Sequence, residues 1–153
     1  MFCFCCKKID TKKFKNIDSI QEKEFLEFLE KTNFEKHLKK ISKKYKNKKI
    51  IIYGAGVFFQ VIEKHYDLSE LNIIAVADRK FFNHEQEERF RGYLVCAPDE
   101  ITTLEADYVL IATKKVFNTI EFLQNEVLKG TGIKLNTLIN KSFIALIKEI
   151  LED

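Results

Sequence analysis

Residues 48–59 constrain the fold of this chain more than any other segment. They read Lys-Lys-Ile-Ile-Ile-Tyr-Gly-Ala-Gly-Val-Phe-Phe, so a run of β-branched and aromatic residues ends at Gly54 and Gly56, and a helical pattern follows. This order is typical of a buried first strand, a phosphate-binding turn and a helix N-terminus in a nucleotide-binding α/β protein. The segment therefore predicts a fold and a class of ligand, but not a reaction.

After residue 48, apolar strand patterns alternate with helical patterns. The predicted strands are 49–53, 72–77, 93–96, 107–112 and 134–139, and helices are predicted at 56–66 and 115–129. Short, almost entirely apolar strands are typical of a parallel sheet that is covered on both faces. Right-handed crossovers favour the strand order 3-2-1-4-5. We therefore predict a Rossmann-like, three-layer α/β domain with a five-stranded parallel sheet, and a surface loop at 79–91.

Two helices are predicted before the first strand, at 19–31 and 33–46. Each start matches the spacing of a capping box: Ser19 with Glu22, and Thr32 with Glu35. Their apolar residues are expected to cover a sheet edge or a second copy of the chain.

Charge is distributed unevenly along the chain. Residues 1–53 carry a net charge of +8 and residues 54–153 a net charge of −5, which gives +3 overall. The predicted helical pair is therefore basic, and such a surface can attract an anionic partner. A solvated helical face in a lysine-rich chain is the simpler interpretation. No aromatic and basic pattern of an RNA-binding sheet is present, so nucleic acid is not an expected partner.

These patterns divide the chain into four parts. They are an N-terminal arm at 1–17, a helical extension at 18–47, the nucleotide-binding domain at 48–140 and an apolar C-terminal helix at 141–153. The helical segments 18–47 and 141–153 are the candidate contacts of a homo-oligomer.

The cysteines and the apolar runs indicate a cytoplasmic protein without a metal site. Cys3, Cys5 and Cys6 crowd the N-terminus, and Cys96 lies in a predicted strand. Their spacing does not match a zinc site, and reduced thiols are the default. We expect Cys96 to be a buried packing residue and not a nucleophile. No run reaches the 18 or more apolar residues of a membrane span, and no signal peptide is predicted.

The glycine turn is the candidate binding site. Main-chain N–H groups at such a turn and at the start of the next helix attract a diphosphate without a charged side chain. Gly54 permits the tight turn, and Gly56 lets a phosphate approach the main chain. The predicted contacts are Gly54, Ala55, Gly56, Val57 and Phe58.

Further candidate contacts follow the second and fourth predicted strands. Asp78 ends strand two, where an acidic residue accepts hydrogen bonds from the hydroxyls of an adenosine ribose. Arg79 and Lys80 come next, as contacts of a 2′-phosphate or a sugar diphosphate, or as a solvated pair. Thr113 is a candidate contact for a ligand hydroxyl, whereas Lys114 is expected to be a surface charge.

One position departs from the dinucleotide-binding pattern. The third glycine of G-x-G-x-x-G falls at position 59, which is Phe59. That glycine permits close packing of helix and strand, so a phenyl ring requires a different arrangement. The alternative interpretation is therefore that the glycines make a turn and bind nothing.

Three segments together carry a family resemblance. They are Lys49–Gly56 with Asp78, the segment Phe-Arg-Gly-Tyr-Leu-Val-Cys-Ala-Pro-Asp-Glu at 90–100, and Ala-Asp-Tyr-Val-Leu-Ile-Ala-Thr at 106–113. The region 48–140 resembles the small Rossmann-like domains of bacterial surface-carbohydrate pathways. Examples are the amino-terminal part of nucleotide-sugar epimerases and dehydratases, with similar domains in sugar acetyltransferases and C-methyltransferases. The resemblance implies NAD(P) or a nucleotide sugar as the ligand, held by Gly54, Gly56 and Asp78.

We therefore expect a nucleotide-binding protein that serves glycan biosynthesis. After the last predicted strand only one helix remains, so catalysis would need a partner chain or a homodimer cleft. The principal alternative is a non-catalytic module that pairs with itself or with a glycan enzyme. A weaker alternative is a fragment of an S-adenosylmethionine-dependent methyltransferase, which also uses a glycine turn and an acidic residue after strand two.

Overall fold

The computed structural model describes residues 17–114 and 116–140. Most of the predicted arm, the predicted C-terminal helix, and Cys3, Cys5 and Cys6 lie outside these ranges. In chain order the elements are α1 Ser19–Lys31, α2 Phe34–Lys44, β1 Ile50–Tyr53, α3 Val57–His65, β2 Ile73–Ala77, β3 Arg89–Phe90, β4 Tyr93–Cys96, β5 Tyr108–Ile111, α4 Val116–Phe122 and β6 Lys134–Thr137. Two 3-10 turns lie at Arg79–Phe81 and Pro98–Thr103, and a π-helical turn at Leu123–Val127 extends α4.

The protein is an α/β structure built on one mostly parallel sheet. The sheet has six strands in the order β3-β4-β2-β1-β5-β6, and β3 is antiparallel to β4 while the other pairs are parallel. The predicted count of five strands and the predicted order 3-2-1-4-5 are therefore wrong. The difference is β3, which adds a strand outside β4.

Strand β3 lies in the segment that was predicted to be a loop. It forms a hairpin with β4 in which Arg89 pairs with Leu94 and Phe90 with Tyr93. The two linking residues, Arg91 and Gly92, both have positive φ, as a two-residue hairpin turn requires. A two-residue strand with a single buried side chain, Phe90, has no alternation long enough to recognise in the sequence.

The helical pair forms as predicted, but its caps differ. Asp18 caps α1 by accepting a hydrogen bond from the N–H of Ile20 at 2.8 Å. Asn33 precedes α2 in the left-handed conformation and has no side-chain cap bond. The predicted capping boxes are therefore wrong. The Thr32 hydroxyl instead donates to the Phe28 carbonyl oxygen at 3.0 Å, at the end of α1.

Helix α2, the second helix of the pair, packs against the domain that contains the sheet. Its inward residues recur with helical spacing and are buried: Phe34, Leu38 and Ile41, followed by Tyr45. The Tyr45 ring lies 4.4 Å from the Tyr108 ring, measured between centroids. The Tyr45 hydroxyl accepts a hydrogen bond from the Asn136 amide in β6 at 2.6 Å. Tyr45, directly after α2, therefore packs against β5 and β6, the strands that carry Tyr108 and Asn136.

The core lies between the sheet and its helices. All four residues of β1 are buried, as expected for a central strand. The chain crosses from β1 to β2 on one side and from β5 to β6 on the other, so right-handed crossovers place α3 and α4 on opposite faces. Among the described residues, no helix has the length and apolar character needed to cross a membrane.

Candidate functional site

The site lies at the carboxyl ends of three adjacent strands. β1 is between β2 and β5, and Tyr53, the last residue of β1, pairs with Ala77 on one side and Ile111 on the other. The three strands therefore end at the same level. Because the chain leaves β1 toward one side of the sheet and reaches β5 on the other, this is the switch point at which ligands of open α/β sheets bind.

Gly54 makes the turn that leaves β1. Its φ is +116°, which side chains of L-residues rarely tolerate. A Cβ there would lie 2.7 Å from Thr113 Cγ2 and 3.1 Å from the Ala112 carbonyl oxygen. The Gly54 N–H donates to the Ala77 carbonyl oxygen at 2.9 Å. The turn is therefore packed directly against the end of β5.

Asp78 fastens the turn from the side of β2. Its Oδ2 accepts a hydrogen bond from the N–H of Ala55 at 2.8 Å, and its Oδ1 accepts one from the N–H of Lys80 at 3.2 Å. The Lys80 ammonium donates to the carbonyl oxygen of Ala55. Asp78 was predicted to bind a ribose, and its bonds to the main chain of the turn are an additional role that the sequence does not show. A carboxylate has about four acceptor positions, so the remaining ones can still receive ligand hydroxyls.

The start of α3 presents main-chain donors. Gly56 is the N-cap, has no side chain to cap the helix, and is exposed. Within the described part of the chain, the N–H groups of Gly56, Val57 and Phe58 have no acceptor. The first N–H group of the helix that has one belongs to Gln60, which donates to the Gly56 carbonyl oxygen at 3.2 Å. A Cβ at Gly56 would meet nothing within 4 Å. Atoms of a ligand can therefore approach this turn closely.

Phe59 is not in the cleft. Its side chain is fully buried, and its ring lies 6.2 Å from the Phe90 ring and 6.3 Å from the Tyr93 ring. The ring therefore fills the space between α3 and the β3–β4 hairpin. The departure from G-x-G-x-x-G is accommodated in the core, and the helix N-terminus stays accessible.

A cleft of about 420 Å³ opens at this turn. Six of the predicted contacts line it: Gly54, Gly56, Val57, Phe58, Asp78 and Thr113. Ala55 lies behind the surface, where its N–H bonds to Asp78. Lys80 and Lys114 also line the cleft, where Lys114, predicted to be a surface charge, is exposed. The volume is within the range of about 300–1,000 Å³ that is usual for small-molecule sites.

The family of the chain is shown by a comparison with family models. The model described as C2185-like, N-terminal matches residues 46–140. The chain belongs to this family. In the comparisons with curated proteins and with solved structures, nothing matches this chain. The C2185-like region contains the whole sheet, the glycine turn, Asp78 and Thr113, whereas α1 and α2 precede it.

Arg79 lies apart from the glycine turn of the C2185-like region. It lines a smaller cleft of about 230 Å³ with Tyr53, Asn118, Thr119 and Phe122, and only Asp78 lines both clefts. The Arg79 guanidinium carbon lies 4.1 Å from the centre of the Phe122 ring, a cation–π contact. Burial raises the pKa of Tyr53, and the Asp78 carboxylate adds to that rise while Arg79 opposes it. Tyr53 therefore stays protonated near neutral pH.

Two reactive residue types are held in structural roles. Cys96 is buried, and desolvation raises the pKa of its thiol to about 12, with Glu100 and Asp99 adding to the rise. His84 contacts Glu100 through Nε2 at 2.8 Å, and its pKa is raised by its bond to the Glu85 backbone and by Glu100. Within residues 17–114 and 116–140, no three potential metal-ligating side chains come together.

We expect Asp78→Ala to lower the free energy of unfolding by about 2 kcal/mol, because the buried N–H of Ala55 loses its acceptor. Asp78→Asn keeps one acceptor oxygen and is expected to cost about half as much. Urea unfolding of both variants tests this. An unchanged stability for Asp78→Ala would show that the carboxylate does not fasten the turn.

Proposed function

We propose that this chain binds a diphosphate-containing nucleotide, either NAD(P) or a nucleotide sugar, in the cleft at the glycine turn. The observation that supports this most directly is the row of main-chain donors at Gly56, Val57 and Phe58, which line the cleft and have no acceptor in the described part of the chain. Donors of this kind at a helix start bind phosphate oxygens through hydrogen bonds and the helix dipole.

The charges around the cleft favour an anionic ligand. Lys80 and Lys114 line it, and the N-terminus of α3 adds a partial positive charge. Asp78 is the acidic residue of the lining, and main-chain N–H groups bond to both of its oxygens. The summed field therefore attracts phosphate groups, while Asp78 provides the acceptor for a sugar hydroxyl beside them.

The choice of NAD(P) or a nucleotide sugar, and a role in bacterial surface-carbohydrate synthesis, rest on the family resemblance of residues 48–140. Main-chain donors beside a carboxylate suit phosphates and a hydroxyl-bearing sugar, and both ligand types contain these groups. No residue of the cleft is assigned a catalytic role in this proposal.

A thermal-shift panel tests the proposal. It contains NADH, NADPH, UDP-glucose and S-adenosylmethionine. A bound ligand at about 100 times its dissociation constant is expected to stabilise the protein by about 2.7 kcal/mol. Gly56→Val is expected to abolish the shift, because the added side chain occupies the approach to the turn without meeting other protein atoms. Gly132→Val is the matched control, since a Cβ there also meets nothing within 4 Å and Gly132 does not line the cleft.

Each outcome of the panel distinguishes the proposal from an alternative. No shift with any ligand would contradict nucleotide binding and favour the interaction module. A shift with S-adenosylmethionine alone would favour the methyltransferase fragment. A shift that Gly56→Val leaves unchanged would place the ligand elsewhere on the protein.

A further inference from the structure

One wall of the cleft comes from outside the C2185-like region. Gln21 and Phe25 of α1 line the cleft, whereas the family match begins at residue 46. Helix α1 is therefore positioned to contact the same ligand as the glycine turn.

The position of α1 is fixed at two places along α3. The rings of Phe25 and Phe28 pack edge-to-face against Phe58, with centroid distances of 5.1 and 5.9 Å. Glu22 contacts the other end of α3, with Oε1 at 2.9 Å from Lys64 Nζ and 2.5 Å from His65 Nε2. Hydrogen bonds from these two residues lower the pKa of Glu22, so it is ionised near neutral pH. The helix is thereby held along the length of α3.

Lys114 connects α1 to the binding surface. Its ammonium nitrogen lies 5.6 Å from the centre of the Phe25 ring and 5.1 Å from that of Phe28, within the range of a cation–π contact. Lysine side chains are flexible, so such a contact restricts the ammonium before a ligand arrives and lowers the entropic cost of binding.

The two lysines of the cleft approach the turn from opposite sides. Lys80 follows β2 and Lys114 follows β5, and these strands flank β1, from which the glycine turn leaves. Both side chains line the cleft. Two cations on either side of one turn suit a ligand with two adjacent phosphate groups better than a ligand with one.

We propose that α1 belongs to the ligand-binding site and that its aromatic pair, Phe25 and Phe28, positions the Lys114 ammonium to bind the second phosphate of a diphosphate. Gln21 and Phe25 form the wall that faces the remainder of the ligand. This inference rests on the proposed function and adds to it a positioning pair and a preference for diphosphate over monophosphate.

Calorimetric titration with inorganic pyrophosphate and inorganic phosphate tests the inference. The wild-type chain is expected to bind pyrophosphate more tightly than phosphate. Lys114→Gln is expected to weaken pyrophosphate binding by about tenfold, because a charge-assisted contact is lost, and to reduce the preference over phosphate. Lys129→Gln is the matched control, because Lys129 is exposed and does not line the cleft.

Phe28→Leu tests the positioning effect, because Phe28 contacts Lys114 and does not line the cleft. The variant also loses the ring contact with Phe58, so its effect is compared in the wild-type and Lys114→Gln backgrounds. It is expected to weaken pyrophosphate binding by about threefold in the wild-type background and to have no effect in the Lys114→Gln background. Circular dichroism checks that the variants fold. If Phe28→Leu does not fold, Phe28→Met, whose flexible side chain fills irregular space and also lacks the ring, takes its place in both backgrounds.

The failures of the two proposals are distinguishable. Suppose that the wild-type chain binds pyrophosphate and that Gly56→Val abolishes this binding. If Lys114→Gln then leaves pyrophosphate binding unchanged, the role of Lys114 is overturned while the proposed function stands. An effect of Phe28→Leu that persists in the Lys114→Gln background overturns the positioning role. If the wild-type chain binds none of pyrophosphate, NADH and UDP-glucose, both proposals are overturned.

Discussion

Phe59→Ala is expected to lower the free energy of unfolding by about 4 kcal/mol, the usual cost of removing a large aromatic ring from a core. The ring is fully buried and lies against Phe90 and Tyr93, so its removal leaves a cavity between α3 and the β3–β4 hairpin. Equilibrium denaturation in urea measures the loss. Phe59→Gly, which restores the third glycine of the dinucleotide-binding pattern, is expected to cost about 1 kcal/mol more, because glycine disfavours helix.

Phe82→Ala provides the control for this prediction. Phe82 is 54% exposed, so the loss of its ring is expected to change the free energy of unfolding by less than about 1 kcal/mol. A loss for Phe59→Ala no larger than for the control would show that the ring at 59 is not packed in the core. The position of that ring would then not account for the accessible N-terminus of α3.

Gly54→Ala is expected to lower the free energy of unfolding by about 3 kcal/mol. Backbone strain at positive φ contributes about 1–3 kcal/mol, and the new Cβ also contacts the end of β5. Displacing the flexible end of Thr113 relieves the 2.7 Å contact, but the Ala112 carbonyl oxygen at 3.1 Å belongs to the main chain and moves less easily. For a chain of this length the loss corresponds to a decrease in melting temperature of roughly 6–12 °C, which calorimetry resolves.

Gly56→Ala, two residues further along the same turn, is the matched control. Gly56 has a φ of −87°, which any residue adopts, and a Cβ there meets nothing within 4 Å. Its replacement is expected to change stability by no more than about 1 kcal/mol, since alanine is a poorer N-cap than glycine. Equal losses of unfolding free energy in Gly54→Ala and Gly56→Ala would contradict the different roles of the two glycines, in which Gly54 shapes the turn and Gly56 leaves room for the ligand.

The parts of the fold that the sequence predicts are those with long, strong patterns. The apolar run before Gly54 is buried throughout as β1, and the helical spacing of Phe34, Leu38 and Ile41 reappears as the buried surface of α2. The short strand β3 and the helix caps could not be predicted from such patterns, because each depends on only a few residues. Strand β3 has two residues, and the helix caps depend on whether Asp18 or Ser19 presents its side chain to the first turn.

The glycine turn and Asp78 are visible in the sequence because the turn and the strand end have a fixed spacing. The carboxylate's bond to the N–H of Ala55 is not visible, since it depends on how closely β2 approaches the turn. Lys80 and Lys114 are ordinary lysines in a lysine-rich chain, and only the three-dimensional structure shows that both line the cleft. The contribution of α1 is likewise hidden, because no sequence pattern reports which helix crosses a binding cleft.

The bond between Tyr45 and Asn136 joins residues 91 positions apart, one directly after α2 and the other in β6. The family match begins at residue 46, one position after the tyrosine that completes this contact. The region that matches the family model is therefore shorter than the region whose residues pack together in the fold. A fragment cut at the family boundary would lack the buried residues Phe34, Leu38, Ile41 and Tyr45. The rings that two of them contact, Tyr66 and Tyr108, would become more exposed to water.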